Sequence, residues 1–313
     1  MIETLLHSLN AVGVVLVLTA CGYVCAALGW IRPDVKRFLS AYLMRLAVPV
    51  MCVYSLRSNL TLELLKSSWL MLLIPALCSA ALFVLSGLYG RMLKLDARQN
   101  SVFRIMCGVS NAMFIGYSMC IELFGEICVP YVMTYYLVNT AFAQLVGVAG
   151  IRRAGGGGGH SAKDALLSFL KTPSILGVLV GMVLIATDLR LPTLVMSCAR
   201  YVNNTVTPLA LLMAGTIIYE IGLKNLRLDR VQLSVMGFRF LLAPGLCLLL
   251  CRLFAVTGLA RDTLVVQTAM PVLTQAVVAS TEYGGDERMA AQGVAISTLA
   301  CFVVIPALML LLQ

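Results

Sequence analysis

Few residues in this chain can do polar chemistry inside an apolar environment, and most of them fall in two stretches. The first is Ser110–Glu126, SNAMFIGYSMCIELFGE; the second is Met270–Asp286, MPVLTQAVVASTEYGGD. Each is an apolar run interrupted by residues that break helices or carry amides: Asn111 and Gly116 in the first, Pro271 and Gln275 in the second. At an offset of 160 residues, Asn111 faces Pro271, Glu122 faces Glu282, Gly125 faces Gly285 and Glu126 faces Asp286. Interrupted apolar helices at matching places in two halves of a chain point to a transporter's binding site.

The chemistry such breaks offer is anion binding. Unwinding frees backbone N–H and C=O groups, which is tolerated in lipid only where they meet protein, water or a ligand. The freed helix N-termini carry positive partial charge and suit an anion. Asn111 and Gln275 add side-chain amides close to the breaks, while Gly116 and Pro271 act through backbone shape. The plainer reading is that these amides only glue helices together. Arg45 and Arg239 lie shortly before Pro49 and Pro244, inside apolar runs. A guanidinium there could neutralise a carboxylate; their closeness to the run ends favours snorkelling to an interface instead. Asn139 and Gln144 pose the same choice, with Asn139 the deeper. Glu122 and Glu282, just past the breaks, are the candidates for an ion-coupling role, set against a solvated or capping one. No acidic residue lies deep in any run, so H+ coupling, Na+ coupling and uniport all stay open.

The elements that must position these groups are membrane helices. Hydrophobic residues make up 60% of the 313 and charged residues 12%, with a mean hydropathy of +0.95. A soluble chain has roughly a quarter of its residues charged. The net charge of +9 sits in short connections between apolar runs, which is the pattern of cytoplasmic loops and not of a nucleic-acid surface. The eleven cysteines show no metal spacing; Cys21, Cys25, Cys78, Cys107 and Cys247 read as small buried hydrophobes. Neither a cofactor nor a metal is expected.

Ten runs of near-bilayer length lie at 10–30, 38–56, 69–89, 105–123, 128–150, 174–189, 193–218, 232–256, 263–281 and 290–312. The odd connections hold fifteen Lys and Arg, including Arg91, Lys94, Arg98 and Arg104 in the third; the even connections hold five. That bias places both termini outside. Five spans per half is an odd number, so a second copy enters the membrane inverted. Pro49 and Pro208 pair at matching places, and Pro75-Ala76-Leu77-Cys78 echoes Pro244-Gly245-Leu246-Cys247. The division expected is 1–150 for the first repeat, 151–173 for a cytoplasmic linker with five glycines at 155–159, and 174–313 for the second repeat. Lys163–Lys171 reads as a short interfacial helix.

Ser110-Asn111 through Gly116, Thr207-Pro208-Leu209-Ala210 through Gly215, and Met270-Pro271 through Glu282-Tyr283-Gly284-Gly285-Asp286-Glu287 together resemble the auxin efflux carrier family of membrane permeases. Bacterial members are often described as malate, malonate or general organic-anion permeases. The resemblance implies an all-α polytopic fold of ten helices in two inverted repeats, with broken fourth and ninth helices crossing at mid-membrane. It also implies one domain on spans 1, 2, 6 and 7 that the remainder moves against. Where plant members carry Pro-Asn and a long central loop, this chain has Ser110-Asn111 and a short linker, which argues against auxin itself.

The function expected is a secondary transporter that moves a small mono- or dicarboxylate across the inner membrane by alternating access. Oligomeric state stays open, a homodimer included. A channel and a transporter-like sensor are the rivals. An intramembrane enzyme is disfavoured, because His7 and His160 lie outside the apolar core and no aspartate is deep.

Overall fold

The structure is a computed structural model that describes residues 2–59, 69–156, 166–167, 169–189, 191–222 and 226–312. Among the described residues the regular structure is helical, and the only extended pairing is one antiparallel bridge between Ser110 and Val272. In chain order the helices are α1 (Ile2–Ala27), α2 (Pro33–Tyr42), α3 (Val48–Asn59), α4 (Trp69–Met92), α5 (Ala97–Gly108), α6 (Ser118–Phe124), α7 (Val129–Phe142), α8 (Ala149–Ala154), α9 (Pro173–Ala186), α10 (Thr193–Ile221), α11 (Arg230–Gly237), α12 (Ala243–Leu253), α13 (Gly258–Thr268), α14 (Gln275–Tyr283) and α15 (Glu287–Leu311).

Three widened π turns continue one helix into the next, at Leu43–Ala47, Ala143–Val148 and Phe238–Leu242, and a fourth, Ala112–Tyr117, leads into α6. Two have a visible cause. Proline has no N–H and its ring crowds the carbonyl four residues earlier. Pro49 does this to Arg45 and Pro244 to Phe240, and both carbonyls lie within the π turns.

A helix or pair of helices covers each of the ten apolar runs. By length and composition, seven stretches among the described residues are able to cross a bilayer, from Leu9–Ala27 to Glu287–Leu311. Ala112–Phe124 and Pro173–Ala186 are shorter apolar helices. The Gly-rich linker from 157 to 165 lies outside the described residues, and of the short helix expected at Lys163–Lys171 residues 166–167 and 169–170 are helical.

Some boundaries differ from the sequence reading. α5 starts at Ala97, eight residues ahead of the expected 105, because Asp96 and Gln99 form a reciprocal capping box. Arg104, read as a loop residue, is therefore well inside a helix. The offset that paired Gly125 with Gly285 slips by one: the glycines that end α6 and α14 with positive φ are Gly125 and Gly284. Asp286 then caps α15 by accepting from the Met289 N–H at 2.9 Å. Cys21 is exposed on α1, not buried as expected.

Two pairs of helices touch nearly backbone to backbone. Gly22 and Gly215 bring α1 against α10: a Cβ on Gly22 would run into the Leu212 backbone, and one on Gly215 into the Thr19 carbonyl. Gly177 brings α9 against α3, where a Cβ would sit 2.6 Å from the Pro49 oxygen. Small residues at helix contacts are the usual means of tight packing in lipid, where apolar side chains gain little by leaving it. The two matched proline segments also meet, with Cys78 Sγ 3.7 Å from the Ala243 oxygen.

Candidate functional site

Both interrupted stretches are unwound, and the two breaks touch. α5 stops at Gly108 and the chain resumes a helical path at Ala112; α13 stops at Thr268 and α14 begins at Gln275. Between them Ser110 pairs with Val272, and the Asn111 N–H donates to the Pro271 oxygen at 2.8 Å. Ser110, Asn111, Met270 and Val272 are all at most 2% exposed.

Buried backbone groups must be paired, and side chains from three other helices do this. Asn139 of α7 clasps Ser110 on both sides: its Oδ1 accepts from the Ser110 N–H, and its Nδ2 donates to the Ser110 oxygen, each at 2.9 Å. Ser110 Oγ lies 3.0 Å from the Tyr135 hydroxyl. In the other break, the Val272 N–H donates to Ser297 Oγ of α15 at 2.9 Å, and that hydroxyl donates to the Gly293 oxygen at 2.6 Å.

Arg239 supplies the third support. Its Nε donates to the Met270 oxygen at 3.0 Å, its Nη2 to Thr268 at 2.6 Å and Met270 at 2.7 Å, and its Nη1 to Cys107 at 3.3 Å. The side chain is 1% exposed, so it does not snorkel, contrary to the reading its position favoured. The reason is the number of carbonyls the breaks set free. Cys107 is the penultimate residue of α5 and Thr268 ends α13, so two helix C-termini, each with negative partial charge, converge on one guanidinium.

The opposite ends of the breaks look different. Asn111 caps the segment that starts at Ala112, with its Oδ1 3.4 Å from the Phe114 N–H. Thr274 occupies the matching place ahead of α14, and Asn111 Nδ2 donates to Thr274 Oγ1 at 3.3 Å. Two helix N-termini therefore converge on an amide and a hydroxyl, with no side-chain charge among them. Gln275, the first residue of α14, is half-buried and makes no side-chain hydrogen bond among the described residues. Gly116 lies where α6 and its π turn meet α13, and a Cβ there would collide with Gln267 and Met270. Gln267 is fully buried; its Nε2 reaches Cys120 Sγ at 3.5 Å, and its Oε1, like Thr263 Oγ1, has no hydrogen-bond partner among the described residues.

The crossing thus gathers Asn111, Gly116, Pro271, Gln275, Asn139 and Arg239. It does not gather the others. Arg45 is exposed on its π turn. Glu282 is exposed at the end of α14, and Glu122 is half-buried near the end of α6, which puts them ~10 and ~15 Å along their helices from the breaks at 1.5 Å per residue. Among the described residues no Asp or Glu is buried. Ser297, Thr263 and Gln267 were not singled out from the sequence. A hydroxyl or amide inside an apolar run is the signal they carry, and single ones are common enough in membrane helices to pass unnoticed.

Two further hydrogen bonds tie the crossing to the tightly packed helices. Tyr117 OH donates to Asn203 Oδ1 of α10 at 3.5 Å, and Tyr136 OH to Ser174 Oγ of α9 at 2.6 Å.

The profile of the family described as "Membrane transport protein" matches the chain twice, over residues 7–156 and 160–309. An uncharacterized transporter from Methanocaldococcus jannaschii is 22% identical over 302 residues, covering 95% of this chain and 96% of the relative.

Proposed function

The chain belongs to the auxin efflux carrier-type family of membrane transport proteins, and we propose that it is a secondary transporter for a small mono- or dicarboxylate. It is a multi-pass membrane protein with the family's module in two copies. The observation that carries the proposal is the meeting of two helix N-termini at Asn111 and Thr274, beside the unpaired amide of Gln275. Such a place offers donors and positive partial charge to a carboxylate without a fixed cation. In this reading Arg239 does not contact the substrate, since four of its five N–H groups go to backbone carbonyls. It holds the breaks in shape. Arg45 is an interfacial residue.

In this reading the ten apolar runs are ten membrane spans in two inverted repeats, divided at the linker 151–173 and crossing at mid-membrane. Both termini lie outside the inner membrane. The helices joined by Gly22, Gly215 and Gly177 form the fixed unit. Tyr117–Asn203 and Tyr136–Ser174 are contacts that the moving remainder must exchange as it exposes the crossing to either side. With no buried carboxylate among the described residues, the unpartnered Gln267 Oε1 and Thr263 Oγ1 are the oxygen ligands on offer to a coupling Na+; neither group takes up a proton near neutral pH, so this reading favours Na+ over H+.

The test is uptake into proteoliposomes of a radiolabelled panel of mono- and dicarboxylates, with and without pH and Na+ gradients. Saturable uptake of one class, weakened in Asn111→Ala by roughly 5- to 150-fold in affinity, is the expected result; one lost hydrogen bond to a buried ligand costs on the order of 1–3 kcal/mol. Non-saturating flux would identify a channel. Unchanged affinity in well-folded Asn111→Ala would remove the crossing as the contact site.

A further inference from the structure

We propose that the α4–α5 hairpin holds the headgroup of an anionic phospholipid, in a cavity formed by its two arginines. This rests on the chain being a membrane protein and not on the transport reading. The cavity encloses about 220 Å³ and is lined by Phe83, Val84, Gly87, Leu88, Arg91, Asn100 and Arg104. It was invisible in the sequence because Arg104 read as a loop residue. Placed within α5, Arg104 instead folds back on α4: its Nε donates to the Phe83 oxygen at 3.2 Å, and its guanidinium carbon lies 5.9 Å from the Phe83 ring centre. Gly87 makes room for it, since a Cβ there would stand 3.1 Å from Arg104 Nε.

That arrangement fixes one edge of the guanidinium and leaves its two terminal nitrogens without an acceptor among the described residues. Arg91, exposed at the last turn of α4, has neither a hydrogen bond nor an ion pair among them. Two guanidinium groups therefore edge one cavity with donors to spare and no carboxylate among its lining residues; the one acceptor there without a partner, Asn100 Oδ1, is turned toward Gly90, while Asn100 Nδ2 donates to the Gly87 oxygen at 3.5 Å. Phosphate oxygens meet that geometry.

The cavity's apolar wall decides between a lipid and a free anion. Val84 and Leu88, one turn apart on α4, are 58% and 53% exposed, so this wall faces the bilayer. Arg91 follows them on the same side, where the apolar helix ends. From Val84 to Arg91 the helix rises ~10 Å. Acyl chains would lie along Val84 and Leu88, with the phosphate drawn in between Arg91 and Arg104. Basic pockets between membrane helices are suited to such headgroups.

The experiment uses the whole protein, delipidated in detergent, titrated with phosphatidylglycerol or phosphatidylcholine and read by native mass spectrometry. Wild type should retain one phosphatidylglycerol per chain in preference to phosphatidylcholine. Arg91→Gln and Arg104→Gln should each weaken that retention about fivefold, and the double variant more. Arg91 makes no hydrogen bond or ion pair among the described residues, so Arg91→Gln should fold as wild type does; Arg152→Gln, which removes a cation stacked on Tyr283, is the charge control and should change nothing. Equal retention of both lipids, or equal loss in Arg152→Gln and Arg91→Gln, would overturn the site. Displacement of the lipid by glycerol phosphate at the same concentration would overturn the lipid and leave a free-anion site.

Discussion

The two sides of the crossing use the same backbone chemistry and solve it in opposite ways. On one side two helix C-termini converge, and the protein fills the space with its own cation, Arg239, fully buried and bonded to three carbonyls. On the other, two N-termini converge, and the protein places only Asn111 and Thr274 there, joined at 3.3 Å. A side chain of opposite charge to the C-terminal ends is present; one of opposite charge to the N-terminal ends is not. In the proposed reading the difference separates a joint from a site: the first arrangement is neutralised within the protein, and the second offers its positive partial charge to a ligand.

Arg239→Gln attacks the joint and should have the largest effect. It removes most of the donors for Cys107, Thr268 and Met270, in a place water does not replace them. Each stranded carbonyl costs about 1–3 kcal/mol, so a loss of about 3 kcal/mol or more is expected as a steep fall in thermal stability in detergent. Arg239→Lys should recover part of it, because an ammonium cannot fork to separate carbonyls. An unchanged melting temperature in Arg239→Gln would sink the distinction between the two sides.

Asn139→Leu comes next and sets one break against the other. Asn139 serves both polar groups of Ser110, whereas Ser297 serves only the Val272 N–H. Hydrogen bonds between membrane helices average about 0.6 kcal/mol and reach about 1.7. Asn139→Leu should therefore cost about 1–3 kcal/mol, and Ser297→Ala about half as much. Equal losses in the two variants would mean that the breaks share their support evenly.

The crossing was legible in the sequence because interruptions fall at matching places in the two halves, with amides beside them: Asn111 and Pro271 marked both breaks. Arg239 was legible as an oddity and misread as to role. Its distance from the end of an apolar run suggests an interface, and only the third dimension shows that two helix ends, 132 and 29 residues away in sequence, aim their carbonyls at it. Ser297 left almost no trace, since a hydroxyl in an apolar helix usually bonds its own preceding turn, as Thr216 does with Leu212 at 2.9 Å. Arg104 was misplaced for another reason. Charge suggested a loop, but the Asp96–Gln99 capping box starts the helix before it.

Thr274→Val should have the smallest effect on stability and is the sharpest test of the comparison. The change keeps the shape and removes the hydroxyl that accepts from Asn111 Nδ2. If the N-terminal side is a site and not a joint, that bond is one the substrate replaces, so little folding energy rests on it. A change within about 1 kcal/mol is expected by thermal unfolding. Substrate affinity should fall severalfold, less than in Asn111→Ala, because Asn111 keeps its amide and the helix N-termini stay in place. A stability loss as large as that of Arg239→Gln would make Asn111–Thr274 a second clamp. The two sides would then do the same work, and the anion would have to be sought away from the crossing.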